Sequence, residues 1–247
     1  MLKLPSLADM ISATAFPGIR ISLCDCVING ITTRNSVFEF SPGRLVLSTR
    51  NGLREATAVA ENSCPEPLWG YVHENAGECR RLMLASAGKT EAECDFLLTG
   101  ASLEGAVLRA AGDEALVFVT TDVRSNAMRA GVDVPAGKRK PHGPGTINIF
   151  LFTAAALSAG AMARSLITIT EAKCAALQDM GAVSSYTPGL TATGTGTDNI
   201  IIVPGTVPGV EMLRGHSALS LLIARTTAQA IRDALRREGM SGAPLTG

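Results

Sequence analysis

The fold class predicted for this chain of 247 residues is α+β: a mixed β-sheet with helices packed on the outside, in a single domain. Three observations carry that expectation. The first fifty residues hold four short β-branched runs with little room between them. Later apolar runs, at 94–102, 114–121 and 145–153, are separated by helical or polar stretches. Two alanine-rich segments near the end, 155–180 and 217–239, have helical composition. Strands first, then strands interspersed with helices, is the order of an α+β chain rather than of repeated β-α-β units.

Taken in order, "IRISLCD", "VINGITT", "SVFEF" and "RLVLST" are bounded by Asn, Gly and Pro, and their spacing predicts antiparallel hairpins or a meander. "NAGECRRLMLASAG" reads as a helix ending at Gly88. "CDFLLTGAS" and "EALVFVTT" read as buried strands on either side of a helical "LEGAVLRAAG". The core of the next polar segment, "PAGKRKPHGPG", reads as an exposed loop. In "GTINIFLFT" the period of two puts Thr146, Asn148, Phe150 and Phe152 on one face and Ile147, Ile149 and Leu151 on the other. The helix expected over 155–180 carries a small-residue stripe, Ala161, Ser165, Thr168, Ala172 and Ala175, that admits a close neighbour, and it should stop at Gly181. The last helix presents Leu221, Leu222, Ala228 and Ile231 as its apolar face and ends at Arg236, Arg237 and Gly239.

Bulk composition excludes several function classes. Lys plus Arg balances Asp plus Glu at 22 each, so no polyanion-binding surface, and hence no nucleic acid partner, is expected. No apolar run reaches membrane-spanning length, and the opening stretch, broken by Pro5, Asp9 and Pro17, makes a poor signal peptide. Aromatics are only 4%, so Ala, Val, Ile and Leu must build most of the core. Six scattered cysteines fit a reduced cytoplasmic chain better than a stapled one, and Cys24 and Cys26 sit at alternate positions of one strand. The alanine-rich helices would suit a homodimer.

Familiar catalytic signatures are missing. Gly88-Lys89-Thr90 resembles the end of a phosphate loop, but Met83 stands where its first glycine belongs and a helix precedes it. His73, His142 and His216 are far apart, so a zinc site would need the fold to gather them. What stands out is "TATGTGTDNIIIV". If extended, it aligns Thr191, Thr193, Thr195 and Thr197 on one face, with Gly194, Gly196 and Asp198 along a bare trough on the other. If coiled, its amides form a nest for an anion or oxyanion. A glycine-rich bulge packed on the small-residue helix is the structural alternative. Glu171 and Lys173, two apart on a helix, point about 200° away from each other. Ser125, Asn126 and Arg129 follow a strand end, the usual place for site loops. His216 precedes Ser217, a natural N-cap.

In order and spacing, "TTDVRSNAMRAG", "GTINIFLF", "TITEAKCAALQDMG", "ATGTGTDNIIIV" and "RGHSALSLLIARTTAQAI" closely resemble the adenosylcobinamide amidohydrolase family of corrinoid salvage enzymes. The resemblance runs from about residue 45 to 235, with "LSTRNGL" and "LLTGAS" as weaker matches. It implies hydrolysis of the amide joining aminopropanol to the corrin ring, a corrinoid as the small-molecule substrate, and no cofactor, with a catalytic divalent metal left open. It singles out Asn126, Arg129, Thr146, Asn148, Glu171, Lys173, the run from Thr193 to Asp198 and His216. The chain departs from the family pattern at "STRNGLREA", at "RGHSALS", which lacks an expected lysine, and in the basic loop, departures that bear on corrinoid preference.

Amide hydrolysis needs a nucleophile, oxyanion donors worth roughly 3 kcal/mol each, and a proton for the amine. The expected assignment makes Asp198 or Glu171 the base for a water, with the amides of 194–197 and Asn126 holding the oxyanion and Lys173 or His216 protonating the amine. A threonine nucleophile in the glycine run, with Lys173 as base, is the rival. A corrinoid-binding protein without activity, an amidohydrolase with a shifted corrinoid substrate and a phosphate-handling enzyme are the competing functions.

Overall fold

A computed structural model describes residues 5–134 and 145–241. The loop expected at "PAGKRKPHGPG" and His142 within it lie outside the described residues, apart from Gly145.

The chain opens with α1 (Leu7–Ala13), capped by Ser6 and Asp9, and then builds its sheet from three long antiparallel strands. β1 (Arg20–Ile28) turns into β2 (Ile31–Ser48) through Asn29 and Gly30, both at positive φ, the two-residue turn that Asn-Gly favours. The run "VINGITT" is therefore two strand ends and a hairpin, not a strand. β2 pairs with β3 (Gly52–Ser63) along its length, but the register breaks between Glu39 and Arg44. "SVFEF" and "RLVLST" are thus two arms of one bent strand. The Arg44 guanidinium is buried at the bend, donating to the carbonyls of Gly18 and Pro204 at 3.1 Å each.

The bend folds one continuous sheet into two facing leaves. The first arm of β2 and the end of β3 continue in parallel pairing to β4 (Cys94–Thr99). The second arm of β2 pairs with β11 (Asn199–Val203), which runs parallel to β8 (Thr146–Thr153); β8 is antiparallel to β6 (Ala115–Asp122), and β6 to β5 (Val107–Ala111). Between the leaves lie Phe38, Phe118, Phe150 and Phe152, with Phe38 5.0–5.6 Å from the other three ring centres. Full burial stabilises by about 1.5–3 kcal/mol per large apolar side chain, so these few aromatics are the centre of the fold. Helices α2 (Trp69–Glu74) and α3 (Ala76–Ser86) cover the outside of the first leaf through Met83 and Leu84. Helices α4 (Ala159–Asp179) and α5 (Ala218–Arg237) cover the outside of the second through Met162, Ile169, Ile223 and Ile231. The result is a mixed sheet with helices outside, as expected, stacked helix–sheet–sheet–helix.

Four local expectations are corrected. Residues 107–111, read as helical, are the edge strand β5: Gly112 at φ +53° turns the chain back so that Val107 and Leu108 bury against β6, and long-range pairing overrides helical composition. Residues 155–157 are not helix but β9 (Ala155–Leu157), paired with β12 (Val207–Val210); α4 starts only at its N-cap, Ser158. On α4 the buried stripe holds Ala161, Ser165, Thr168 and Ala172 but then passes to Ala176 while Ala175 is exposed, and Thr168 meets Ser220 of α5 at 3.0 Å. On α5, Leu221 is exposed; Ile223, Thr227, Ala230, Ile231 and Ala234 form the buried face because the helix packs on both α4 and the sheet.

The β9–β12 contact depends on glycine. A Cβ on Gly205 would overlap the backbone carbonyls of Thr153 and Ala154, which cannot swing aside as a side chain can. Gly205→Ala is expected to destabilise the protein by about 3 kcal/mol, read as a drop in the urea midpoint at unchanged slope, whereas Gly77→Ala, where a Cβ meets nothing, should not lower it. Equal midpoints for the two variants would show that β12 is not held against β9.

Candidate active site

The glycine-threonine run is extended as far as Thr195 and then turns sharply at Gly196 and Thr197. Thr193 N donates to the Met128 carbonyl at 2.8 Å, β10 (Gly194–Thr195) pairs with β7 (Ala127–Met128), and Gly196 and Thr197 then turn the chain into β11. The turn closes on Asp198. Its Oδ2 accepts from Thr195 N at 3.0 Å and from Lys173 Nζ, and its Oδ1 accepts from Ile147 N at 3.0 Å and from Thr195 Oγ1. Four protein donors therefore occupy the carboxylate. Lys173 arrives from α4 with its side chain 10% exposed, against 14% for Asp198, so the ion pair is shielded but not sealed. Gly194 is required beside it: a Cβ there would press on the carboxylate and lie 2.6 Å from Lys173 Nζ.

Asn126 closes the next layer. Its Nδ2 donates to the Gly145 carbonyl at 3.0 Å and its Oδ1 accepts from the Tyr186 hydroxyl at 2.6 Å. Gly196 lies so close that a Cβ would come 3.2 Å from the Asn126 amide. Thr146 Oγ1 donates to the Thr197 carbonyl at 2.9 Å, Thr197 Oγ1 to the Gly145 carbonyl at 3.0 Å, and Thr197 N to Thr195 Oγ1 at 3.3 Å. Arg129 donates to the Thr191 carbonyl at 3.2 Å, and Thr193 Oγ1 accepts from Ala130 N at 2.9 Å. Thus Asn126, Arg129, Thr146, Lys173 and the run from Thr193 to Asp198 form one cluster at the end of the sandwich. Gly196 and Thr197 are exposed at its surface.

Other predicted residues are placed elsewhere. Glu171 is exposed on the opposite side of α4 from Lys173, as their 200° separation requires, and it does not join the cluster. His216 is exposed just before α5, whose N-cap is Ser217. Ser125 is half-buried in the loop before β7. Asn148, expected to bind a ligand beside Thr146, is fully buried between the leaves on the face of β8 away from α4. There it donates to Glu61 Oε1 and to the Leu98 carbonyl, at 3.2 Å each.

Glu61 was not anticipated. It is fully buried on β3, where Thr120 of β6 donates to it at 2.6 Å across the leaves. Burial pushes its carboxyl up to about 7, against the opposing pull of hydrogen bonds from Thr120, Asn148 and Thr99. Glu61 Oε2 and Asn148 Oδ1 are both buried without a partner. The available signal was the carboxylate interrupting the apolar alternation of "TAVAENS". This pair adjoins the lysine cluster through β8: the N–H of Ile147 holds Asp198 on one side of the strand, and the next side chain, Asn148, holds Glu61 on the other. A cavity of about 710 Å³, lined by Leu7, Leu23, Arg34, Ser63, Leu103 and Arg237, includes neither group. Among the described residues no three His, Cys, Asp or Glu side chains are gathered as a metal site.

A hydroxyl hydrogen-bonded to a carboxylate that is paired with a buried lysine is equipment for proton transfer at a carbonyl. The family match places the protein in the amidohydrolase class. The chain belongs to the CbiZ family, adenosylcobinamide amidohydrolase, which matches residues 27–243. An uncharacterized protein of Methanocaldococcus jannaschii is 37% identical over 223 residues, covering 83% of this chain and 87% of the relative. Two solved structures, a protein of Pyrococcus horikoshii OT3 and a Burkholderia beta-aminopeptidase, align over 96% of this chain and 89% of theirs, at 12% and 15% identity and a TM-score of 0.43 each.

Proposed function

We propose that this protein hydrolyses the amide bond joining aminopropanol to the corrin ring's propionyl side chain in adenosylcobinamide, giving adenosylcobyric acid for coenzyme B12 salvage. The family match over 27–243 is the observation that carries this substrate. Six free cysteines support a reducing, cytoplasmic setting.

Within that reading the site favours Thr195 as nucleophile over an activated water. A water needs a free acceptor on its base, and the four donors on Asp198 leave none, whereas the Thr195 hydroxyl already points its proton at Oδ1. Glu171 faces away. Thr195 Oγ1 attacks the amide carbon as its proton passes to Asp198. The C–N bond then breaks, the nitrogen takes a proton from the Asp198–Lys173 pair, and aminopropanol leaves. Water cleaves the resulting ester to free the acid and restore the hydroxyl. Thr197 N, already 3.3 Å from Thr195 Oγ1, is the amide nearest the developing oxyanion.

Incubation of the purified protein with adenosylcobinamide, followed by mass spectrometry, tests the reaction. Equimolar aminopropanol and adenosylcobyric acid are expected, and a parallel sample with chelator reads any metal requirement. Tight binding without cleavage would replace the proposal with a corrinoid-binding protein, and neither binding nor cleavage would remove the substrate.

A further inference from the structure

Three arginines converge away from the cluster just described. Arg50, in the turn between β2 and β3, Arg54 on β3 and Arg80 on α3 line one small cavity of about 80 Å³, with Asn51, Glu91 and Phe96. None of the three belongs to an ion pair among the described residues. Arg50 donates to the Phe96 carbonyl at 3.3 Å, and Arg54 to the carbonyls of Glu91 and Ala92 at 2.7 Å each. These bonds fix the two guanidiniums in place without neutralising them. Arg80 Nε is buried with no partner at all. Neighbouring carboxylates are few: Glu91 on the exposed rim, and the buried Asp95, whose Oδ1 is taken by Asn51 at 2.8 Å, whose Oδ2 has no hydrogen-bond partner and whose charge interacts with that of Arg54.

We infer that this cavity is a binding site for a small tetrahedral oxyanion of the phosphate type. A buried guanidinium N–H left unpaired costs about 1–3 kcal/mol, more for a charged group, and an anion accepting from it removes that cost. Guanidiniums held in fixed orientation match phosphate oxygens in geometry as well as charge. The volume holds about two or three waters, room for one such ion and not for a nucleotide. The site also touches the catalytic turn. Thr49, the residue before Arg50, exchanges hydrogen bonds with Ile200 at 3.0 Å and meets Asn199 Oδ1 at 3.2 Å, next to Asp198. An ion that orders the Arg50 turn therefore braces the strand start from which Asp198 hangs.

The ion could be free phosphate or a phosphoryl group carried on a ligand, and the test separates the two. Calorimetric titration of the full chain with inorganic phosphate in about 0.1 M chloride, which screens loose surface binding, should give saturable one-site heat. Arg80→Gln and Arg54→Gln should each weaken the affinity about tenfold, while Arg34→Gln, in the other cavity, leaves it unchanged. The phosphate-induced rise in melting temperature should be lost in step, with each variant's phosphate-free melting curve reporting that it has folded. Competition by a phosphomonoester of aminopropanol at lower concentration than inorganic phosphate would assign the site to a ligand-borne group; no such competition would assign it to free phosphate. Absence of saturable binding, or equal weakening by Arg34→Gln, would overturn the inference. None of these readouts requires amide hydrolysis, so the site stands or falls apart from the proposed reaction.

Discussion

Replacing Thr195 with alanine is expected to lower turnover of adenosylcobinamide about a thousandfold or more, and replacing it with serine to preserve most of it. The contrast follows from the hydrogen bonds on Asp198. Alanine removes the hydroxyl that Oδ1 holds but leaves the Lys173, Thr195 N and Ile147 N donors, so the ion pair and the turn persist. Serine keeps the hydroxyl and loses only a methyl. Asp198→Asn should be inactive under either mechanism, because it removes the proton acceptor and leaves Lys173 buried without its counter-charge. The threonine variants therefore discriminate. If a water activated by Asp198 attacks, alanine opens an acceptor position on Oδ1 and activity survives. Acid-quenched mass spectrometry adds an independent reading: the wild type should carry a corrinyl ester on the peptide containing Thr195, and the alanine variant should not. Near-normal turnover by Thr195→Ala would eliminate the hydroxyl as nucleophile.

The second large effect is on stability and its pH dependence. Glu61 is an acid whose folded-state pKa is raised from 4.5 to about 7, so between those values the folded protein binds more protons than the unfolded chain. Stability from this group is complete below about pH 4.5, declines as pH rises, and is lost above about pH 7; the span corresponds to roughly 3 kcal/mol. Glu61→Gln cannot ionise, so it removes this pH dependence. The variant is expected to gain on the wild type as pH goes from 5 to 8, by up to about 3 kcal/mol in urea denaturation. A difference that stays constant over that range would mean that the carboxylate remains ionised in both states. Because Glu61 joins Asn148 beside the Ile147 N–H that holds Asp198, the same variant's pH–rate profile reports whether that proton is felt at the Asp198 cluster.

Much of the cluster was legible in the sequence. The alternation in "GTINIFLFT" put Phe150 and Phe152 on one face and Ile147 and Ile149 on the other, and the two faces enter different cores. The density of Gly and Thr before "DNIIIV" marked a turn too bare to be ordinary packing, and Asp198 sits at its centre. The errors have one source. Val107 to Ala111 has helical composition but pairs with β6, and Leu221 has the right character for a core but falls outside the face that α4 and the sheet cover. Composition reports what a segment tolerates, and its partner decides what it does.

By itself the sequence determined what depends on neighbours along the chain: the strand and helix periods, the stops at Gly181 and Gly239, and the family to which the chain belongs. Only the tertiary structure decided that the sheet bends at Glu39 to Arg44 into two leaves, and so brought Glu61 to Thr120 and Asn148, which are 59 and 87 residues away. It also decided that Lys173, not Glu171, meets Asp198, and that Arg50, Arg54 and Arg80 share a cavity. The physical reason is the range of the interactions. A repeat of two or 3.6 residues is written locally, whereas a buried carboxylate finds its donors only after the bend and the apolar core have fixed which strands face each other.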